Sequence, residues 1–173
     1  MWLPLDRDAV KIDADAEATR VGATGYARPE DVETATSTGN DRNAFENLYV
    51  AVTDENRVLR IILAGRLAWV ADYVRQGTNV TSDFTNPDNL ALDKAGNLFI
   101  TEDTVTPPGM DIWMASPARG RSLAASSTVR FASLTDCSAE PSGVYFDLKG
   151  RVLRAHALHR AGQDLSVQIT QDR

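Results

Sequence analysis

The stretch Asn86-Pro87-Asp88-Asn89-Leu90-Ala91-Leu92-Asp93-Lys94-Ala95-Gly96-Asn97-Leu98-Phe99-Ile100-Thr101-Glu102-Asp103 decides the fold. Leu90 and Leu92 alternate as on a half-buried strand, and Leu98-Phe99-Ile100 is a β-prone run. The residues between them read as a turn, in which Gly96 takes a positive φ and the Asp93 carboxylate bonds the turn backbone. A strand, a glycine turn and a second strand form the pattern of a propeller blade, and the carboxylates at both ends are candidate metal ligands.

The pattern recurs. Pro29-Glu30-Asp31-Val32 and Pro141-Ser142-Gly143-Val144 align with Pro87-Asp88-Asn89-Leu90. The offset from Leu90 to Leu98 equals that from Val144 to Val152, across the turns Asp93…Gly96 and Asp147…Gly150. The first copy fits with an insertion, Ser37-Thr38-Gly39-Asn40-Asp41-Arg42-Asn43, before Leu48-Tyr49-Val50. Copies begin about 55 residues apart, which suits a four-stranded blade with long loops better than a shorter helical repeat. Radial repetition buries the faces of small sheets against their neighbours and protects their edges.

The expected fold is therefore all-β and β-propeller-like, a partial propeller of about three four-stranded blades over residues 26–173. Residues 1–25, acidic and rich in alanine, form an irregular or short helical lead-in. The expected strands are Asn47–Thr53, Arg57–Leu63, Leu67–Val74, Leu90–Asp93, Asn97–Glu102, Asp111–Ala115, Thr128–Leu134, Val144–Asp147, Val152–Leu158 and Leu165–Thr170. Thr104–Gly109, with its consecutive prolines, and Ser116–Thr128 are loops.

Composition narrows the function. Its apolar content of 43% and charged content of 24% describe a globular protein, and no apolar run is long enough to span a bilayer. A net charge of -6 without basic clusters argues against nucleic-acid binding and is compatible with cation binding. Cys137 is the only cysteine, so no intrachain disulfide forms; it reads as a small buried hydrophobe. The N-terminus lacks the basic and apolar regions of a signal peptide, which leaves the compartment open.

Hard divalent cations such as calcium take several oxygen ligands on converging loops. Glu30, Asp31, Asp88, Asn89, Glu102, Asp103 and Glu140 all fall at strand starts or ends, where a propeller would gather them. Arg28, two residues before Glu30, is the natural anion clamp, because alternate positions on an extended segment share a side and guanidinium matches phosphate oxygens. An Arg28–Glu30 or Arg28–Asp31 ion pair is the alternative. Asp93 and Asp147, each three residues before a turn glycine, are structural. His156 and His159 lie on an expected strand and do not make a shared zinc site, though His159 is a candidate site-edge residue. Gly-x-Ser-x-Gly elbows, phosphate-cradling glycine loops and paired zinc motifs are missing. Trp69, Trp113, Tyr145 and Phe146 read as core between blades.

The ordered motifs Arg28-Pro29-Glu30-Asp31-Val32-Glu33, Asn47–Thr53, Pro87-Asp88-Asn89-Leu90, Gly96–Asp103, Asp111-Ile112-Trp113, Arg130–Leu134 and Ala139-Glu140-Pro141-Ser142-Gly143 resemble the PhoX-type alkaline phosphatase family. The resemblance covers most of the chain, from about Tyr26 to His159, and lies in the family's C-terminal half. It implies a propeller whose central site holds calcium and iron and hydrolyses phosphate esters, often in an exported enzyme. By the same resemblance Arg28 contacts the phosphoryl oxygens, Glu30 ligates a metal, and Asp88, Glu102, Asp103 and Glu140 are further metal ligands. The family's remaining ligands, including its iron-binding cysteine, belong to its N-terminal half, and Cys137 is not assigned to that role. Leu153-Arg154-Ala155-His156-Ala157-Leu158-His159 departs from the family's apolar strand ending in Gln-His.

The expected partner is a small phosphate ester, with no nucleic acid and no membrane. A partial ring with open edges also predicts self-association or pairing with a missing propeller half. Pro87-Asp88-Asn89-Leu90-Ala91 and Gly96-Asn97-Leu98-Phe99 also resemble the gluconolactonase type of calcium-dependent hydrolase. A calcium-stabilised, non-catalytic binding module is the alternative from another class.

Overall fold

A computed structural model describes residues 3–35, 46–103, 110–120, 122–136, 139–147, 150, 152–159 and 164–170. The proposed insertion Ser37–Asn43, the loop Thr104–Gly109 and Cys137 lie outside the described residues. The lead-in is helical: α1 (Arg7–Ile12) is capped by the Asp6 carboxylate, which accepts from the backbone N–H groups of Asp8 and Ala9. In α2 (Ala14–Arg20) Asp13 accepts from Ala16 N–H in the same way. Neither helix is long and apolar enough to cross a membrane.

The remainder is all-β, in three antiparallel sheets of four, four and three strands. The first orders β1 (Pro29–Ala35), β2 (Glu46–Val52), β3 (Arg57–Ala64) and β4 (Leu67–Arg75) as a meander, with a short 3-10 turn at Thr53–Glu55. The second repeats the plan with β5 (Pro87–Leu92), β6 (Leu98–Glu102), β7 (Asp111–Ser116) and β8 (Ser127–Ser133). The third holds β9 (Ala139–Phe146), β10 (Val152–His159) and β11 (Leu165–Thr170), three strands among the described residues where four were expected.

The aligned Pro-x-x-apolar segments open or lie within the first strand of each sheet, and each carries the same irregularity. A step of three residues on the first strand runs against a step of two on the second: Pro29 to Val32 against Val52 to Val50, Pro87 to Leu90 against Glu102 to Ile100, and, starting one residue after its proline, Ser142 to Tyr145 against His156 to Arg154. Each is a one-residue β-bulge. It explains why β5 and β9 begin earlier than the sequence suggested, and why β1 is a strand at all: pairing continues through the proline because the bulge absorbs the missing donor.

The bulge also joins the sheets. The Asp31 carboxylate on β1 accepts from Leu90 N–H on β5 at 2.7 Å. Asn89, in the equivalent place on β5, accepts from Gly143 N–H on β9 at 2.6 Å and from the Ser142 hydroxyl at 3.0 Å. Thr53 Oγ1 donates to the Pro87 carbonyl at 2.8 Å, tying the end of β2 to β5. Asp31 and Asn89 are thus structural ties. Asp31→Ala leaves the buried Leu90 N–H unsatisfied and is expected to cost about 1–2 kcal/mol, whereas Asp31→Asn keeps an acceptor there and costs less. Urea unfolding of the two variants checks this.

The middle sheet is buried on both faces. Leu90, Leu98, Ile100, Trp113 and Ala115 pack with Tyr49, Ala51, Val58, Tyr73 and Val74 of the first sheet. Ala91, Phe99 and Ile112 pack with Val144, Leu153 and Ala155 of the third. That is why Leu98-Phe99-Ile100 is an unbroken apolar run. The outer sheets each present one open face, on which Val32, Val70, Tyr145 and Leu158 are exposed. Trp113 and Phe146 are packed as expected, Phe146 edge-on to Phe99, whereas Trp69 and Tyr145 are half exposed and belong to no core.

Turn chemistry follows the expected form. The Asp93 carboxylate accepts from Ala95 N–H, Asn97 N–H and the Asn97 carboxamide, with Gly96 at φ 83°. Asp147 accepts from Val152 N–H, with Gly150 at φ 67°. His156 is on β10 with Nδ1 beside the Ser166 hydroxyl at 3.1 Å.

Candidate functional site

The residues bracketing each repeat proline meet where the first strands adjoin. Arg28 sits before Pro29 in the left-handed region at φ 54°, with its carbonyl held by Thr53 N–H at 3.0 Å. Its guanidinium donates from Nε and Nη2 to Glu30 Oε1 at 2.8 and 2.5 Å. Nη2 also donates to Asp103 Oδ2 at 2.8 Å, and Nη1 to Asp54 Oδ1 at 3.2 Å. The expected Arg28–Glu30 pair is therefore formed, while Asp31 serves Leu90 instead. Hydrogen bonds from Arg28 to Asp103 and then Glu30 raise the guanidinium pKa further above its ordinary value.

Asp88 is buried, and burial pushes its carboxyl up to about 7. A hydrogen bond shared with Glu30 and the negative charges of Glu30, Asp103 and Glu140 act in the same direction. The same hydrogen bond, with Arg28 beside it, holds Glu30 below the usual carboxylate range. Arg28 thus joins Glu30 of β1, Asp54 and Asp103, Glu30 shares a hydrogen bond with Asp88 of β5, and the charge of Glu140 of β9 is near enough to act on Asp88.

Glu102 does not share in this arrangement. It is 1% exposed, and its carboxylate is taken up by three N–H donors: Thr85 N–H and the Trp113 indole on Oε1, both at 2.8 Å, and Asp111 N–H on Oε2 at 3.2 Å. Asp103, the next residue, faces Arg28 instead, as alternation along a strand end requires. Burial raises Glu102 to about 7, against the pull of the Thr85, Trp113 and Asp111 donors. Beside it Asp111 is held by Arg130 Nε at 2.6 Å and the Ser133 hydroxyl at 2.5 Å, and Arg130 lies over the Trp113 ring. This is a buried polar anchor within the middle sheet.

Asp54 is the residue that sequence reasoning missed. It lies just beyond β2, as Asp103 lies just beyond β6, so attention to the ends of second strands as well as the starts of first strands would have found it.

The site defines a class: three packed antiparallel sheets whose repeated first strands bring a guanidinium and several carboxylates together. No family model, no curated protein and no solved structure matches the chain.

The donor set of Glu30, Asp88, Asp103 and Glu140 is all hard oxygen, which fits calcium and offers nothing that selects a softer metal. Among the described residues no three His, Cys, Asp or Glu side chains stand ready-arranged around one metal position. Arg28 engages Glu30 and Asp103, and Asp88 is hydrogen-bonded to Glu30, so cation entry requires these contacts to part.

Proposed function

We propose that this cluster binds calcium together with a phosphate ester, as part of a PhoX-like metal-dependent phosphoesterase built on a partial β-propeller. The observation that carries the reading is the convergence of Glu30, Asp88 and Glu140, one from each first strand, beside Arg28. Three consecutive meander sheets, laid first strand to first strand with one repeated bulge, support the propeller part. Glu30, Asp88, Asp103 and Glu140 are the residues that would hold the cation. When bound, the cation supplies charge neutralisation of the phosphate and activation of an oxygen nucleophile. Arg28 binds and orients the ester oxygens, and Asp54 holds the guanidinium in place. Iron belongs to the proposal only through the family resemblance. Self-association, or pairing with a further half, would cover the open faces carrying Val32, Val70, Tyr145 and Leu158.

A calcium-stabilised, non-catalytic module is the second reading. It is favoured by the four contacts that Arg28 already makes to carboxylates. Hydrolysis of a chromogenic phosphomonoester with added calcium and iron decides between them. Turnover supports the phosphoesterase; a calcium-dependent rise in melting temperature without turnover supports the module; hydrolysis of a lactone alone would select the gluconolactonase type. Glu30→Gln is expected to remove the calcium-dependent rise in melting temperature. An unchanged rise would take Glu30 out of the site.

A further inference from the structure

The two open sheet faces differ in kind. Cross-strand partners in an antiparallel sheet share a face, and neighbours along a strand take opposite faces. On the first sheet Tyr49 and Ala51 pack toward the middle sheet, so Leu48 and Val50 lie on the outward face. Val50 pairs with Val32 on β1, and Leu48 pairs with Ile61 on β3, which pairs in turn with Val70 on β4. The outward face is therefore aliphatic across all four strands. Val32 and Val70, near its two edges, are 52% and 49% exposed.

On the third sheet Leu153 and Ala155 pack toward the middle sheet, which puts Arg154 and His156 on the outward face. Their partners there are Tyr145 for Arg154 on β9, and Gln168 and Ser166 on β11. This face is polar.

The repeat shows which of the two is built to be covered. Val32 pairs with Val50 as Leu90 pairs with Ile100 in the middle sheet, and the pair Leu90 and Ile100 is buried by the first sheet. Val144, the counterpart of Val32 and Leu90 in the third sheet, is buried by the middle one. The face that sheet-on-sheet packing covers twice within the chain is thus left bare on the first sheet. The third sheet of another copy is a poor cover for it, because Arg154 stands where the middle sheet has Phe99, and a guanidinium buried against aliphatic side chains is costly. Among the described residues, the matching aliphatic sheet face is the same face of a second copy. Four strands about 4.8 Å apart, each contributing about six residues of about 3.3 Å, make a face of about 19 by 20 Å, so two such faces together bury about 800 Å². That area belongs to weak, reversible association.

We infer that the outward face of the first sheet pairs with its own copy on a second chain, in a weak two-fold dimer whose first sheets stack face to face. The inference narrows the self-association proposed above to one face and rests on that part of the reading, not on calcium or phosphate.

The test is sedimentation velocity of the full chain, without calcium, from about 1 to about 100 µM. The wild type is expected to shift from monomer toward dimer over this range. Val70→Lys and Val32→Lys bring like charges together across the two-fold axis and are each expected to weaken the dimer at least tenfold, about a decade in concentration. Both positions are half exposed in the single chain, so lysine leaves the fold intact, and the melting temperature at low concentration verifies this. Tyr145→Lys and Leu158→Lys, on the third sheet, are expected to dimerise like the wild type. A wild type that stays monomeric throughout overturns the inference. So does a dimer that Leu158→Lys abolishes and Val70→Lys and Val32→Lys retain, although self-association then stands. Neither result touches the phosphoesterase reading, which turnover decides.

Discussion

Replacing Glu102 by leucine is expected to lower the stability of the chain by about 4 kcal/mol, seen as a fall of about 10 °C in melting temperature. The reason is not the loss of a charge but the three N–H donors that the carboxylate satisfies. Thr85 N–H, Asp111 N–H and the Trp113 indole would be left in the middle of a sheet covered on both faces. An unsatisfied buried donor costs about 1–3 kcal/mol. Glu102→Gln keeps the oxygen that serves Thr85 and Trp113 and is expected to cost only about 1 kcal/mol. A leucine variant as stable as the wild type would remove this account of the middle sheet.

The same residue gives a pH dependence with a definite sign. The Glu102 carboxyl rises from 4.5 to about 7 on folding because of burial, so between these values the native state holds a proton that the unfolded chain has lost. Stability contributed by that proton is complete below 4.5 and is lost as pH rises through 7. Asp88, raised from 3.8 to about 7, acts in the same direction over an overlapping window. Glu30 and Asp72 are lowered, so their contribution appears at more acidic pH and does not cancel this slope. Denaturant unfolding between pH 5 and 7 (about two units) is expected to show falling stability, with the slope reduced in Glu102→Gln.

Arg28→Ala is expected to move two observables in opposite directions. Under the proposed phosphoesterase reading, catalytic efficiency toward a phosphomonoester falls about 100-fold or more, the magnitude seen when one preorganised donor to a reacting oxyanion is removed. Calcium affinity should rise about fivefold, because the cation that pairs Glu30, Asp54 and Asp103 is gone and their charges are no longer offset. Steady-state hydrolysis and calcium titration read the two effects. A merely structural Arg28 would lower both together. Arg28→Lys restores charge without the planar fork, so it is expected to recover the calcium behaviour and little of the hydrolysis.

Much of the fold can be read in the chain. All ten expected strands form, because β-branched and aromatic runs are broken by turns whose chemistry is local: Asp93 with Gly96, and Asp147 with Gly150. The strand β1 and the early starts of β5 and β9 could not be read that way, since proline argues against a strand until a bulge is known to accommodate it. Trp69 and Tyr145 were expected in a core and lie half exposed. Hydrophobic character says that a residue can be buried, but only the count and order of neighbouring sheets says which faces are covered.

The candidate site divides along similar lines. The repeat in the chain places Arg28, Glu30, Asp88 and Glu140 directly before or after an aligned proline, because a proline recurs at each copy although its neighbours differ. Only the tertiary structure decided what neighbouring acids do there. Glu102 and Asp103 are adjacent and chemically alike, yet one anchors buried N–H groups and the other pairs with Arg28, because successive side chains along a strand leave on opposite sides. Likewise the acid at position 31 became a tie to Leu90 N–H, and Asp54 joined the cluster unannounced. Local sequence sets backbone conformation through short-range hydrogen bonds and sterics. The partner a carboxylate finds depends on which strand end is brought within about 3 Å of it, and that is a property of how the sheets stack.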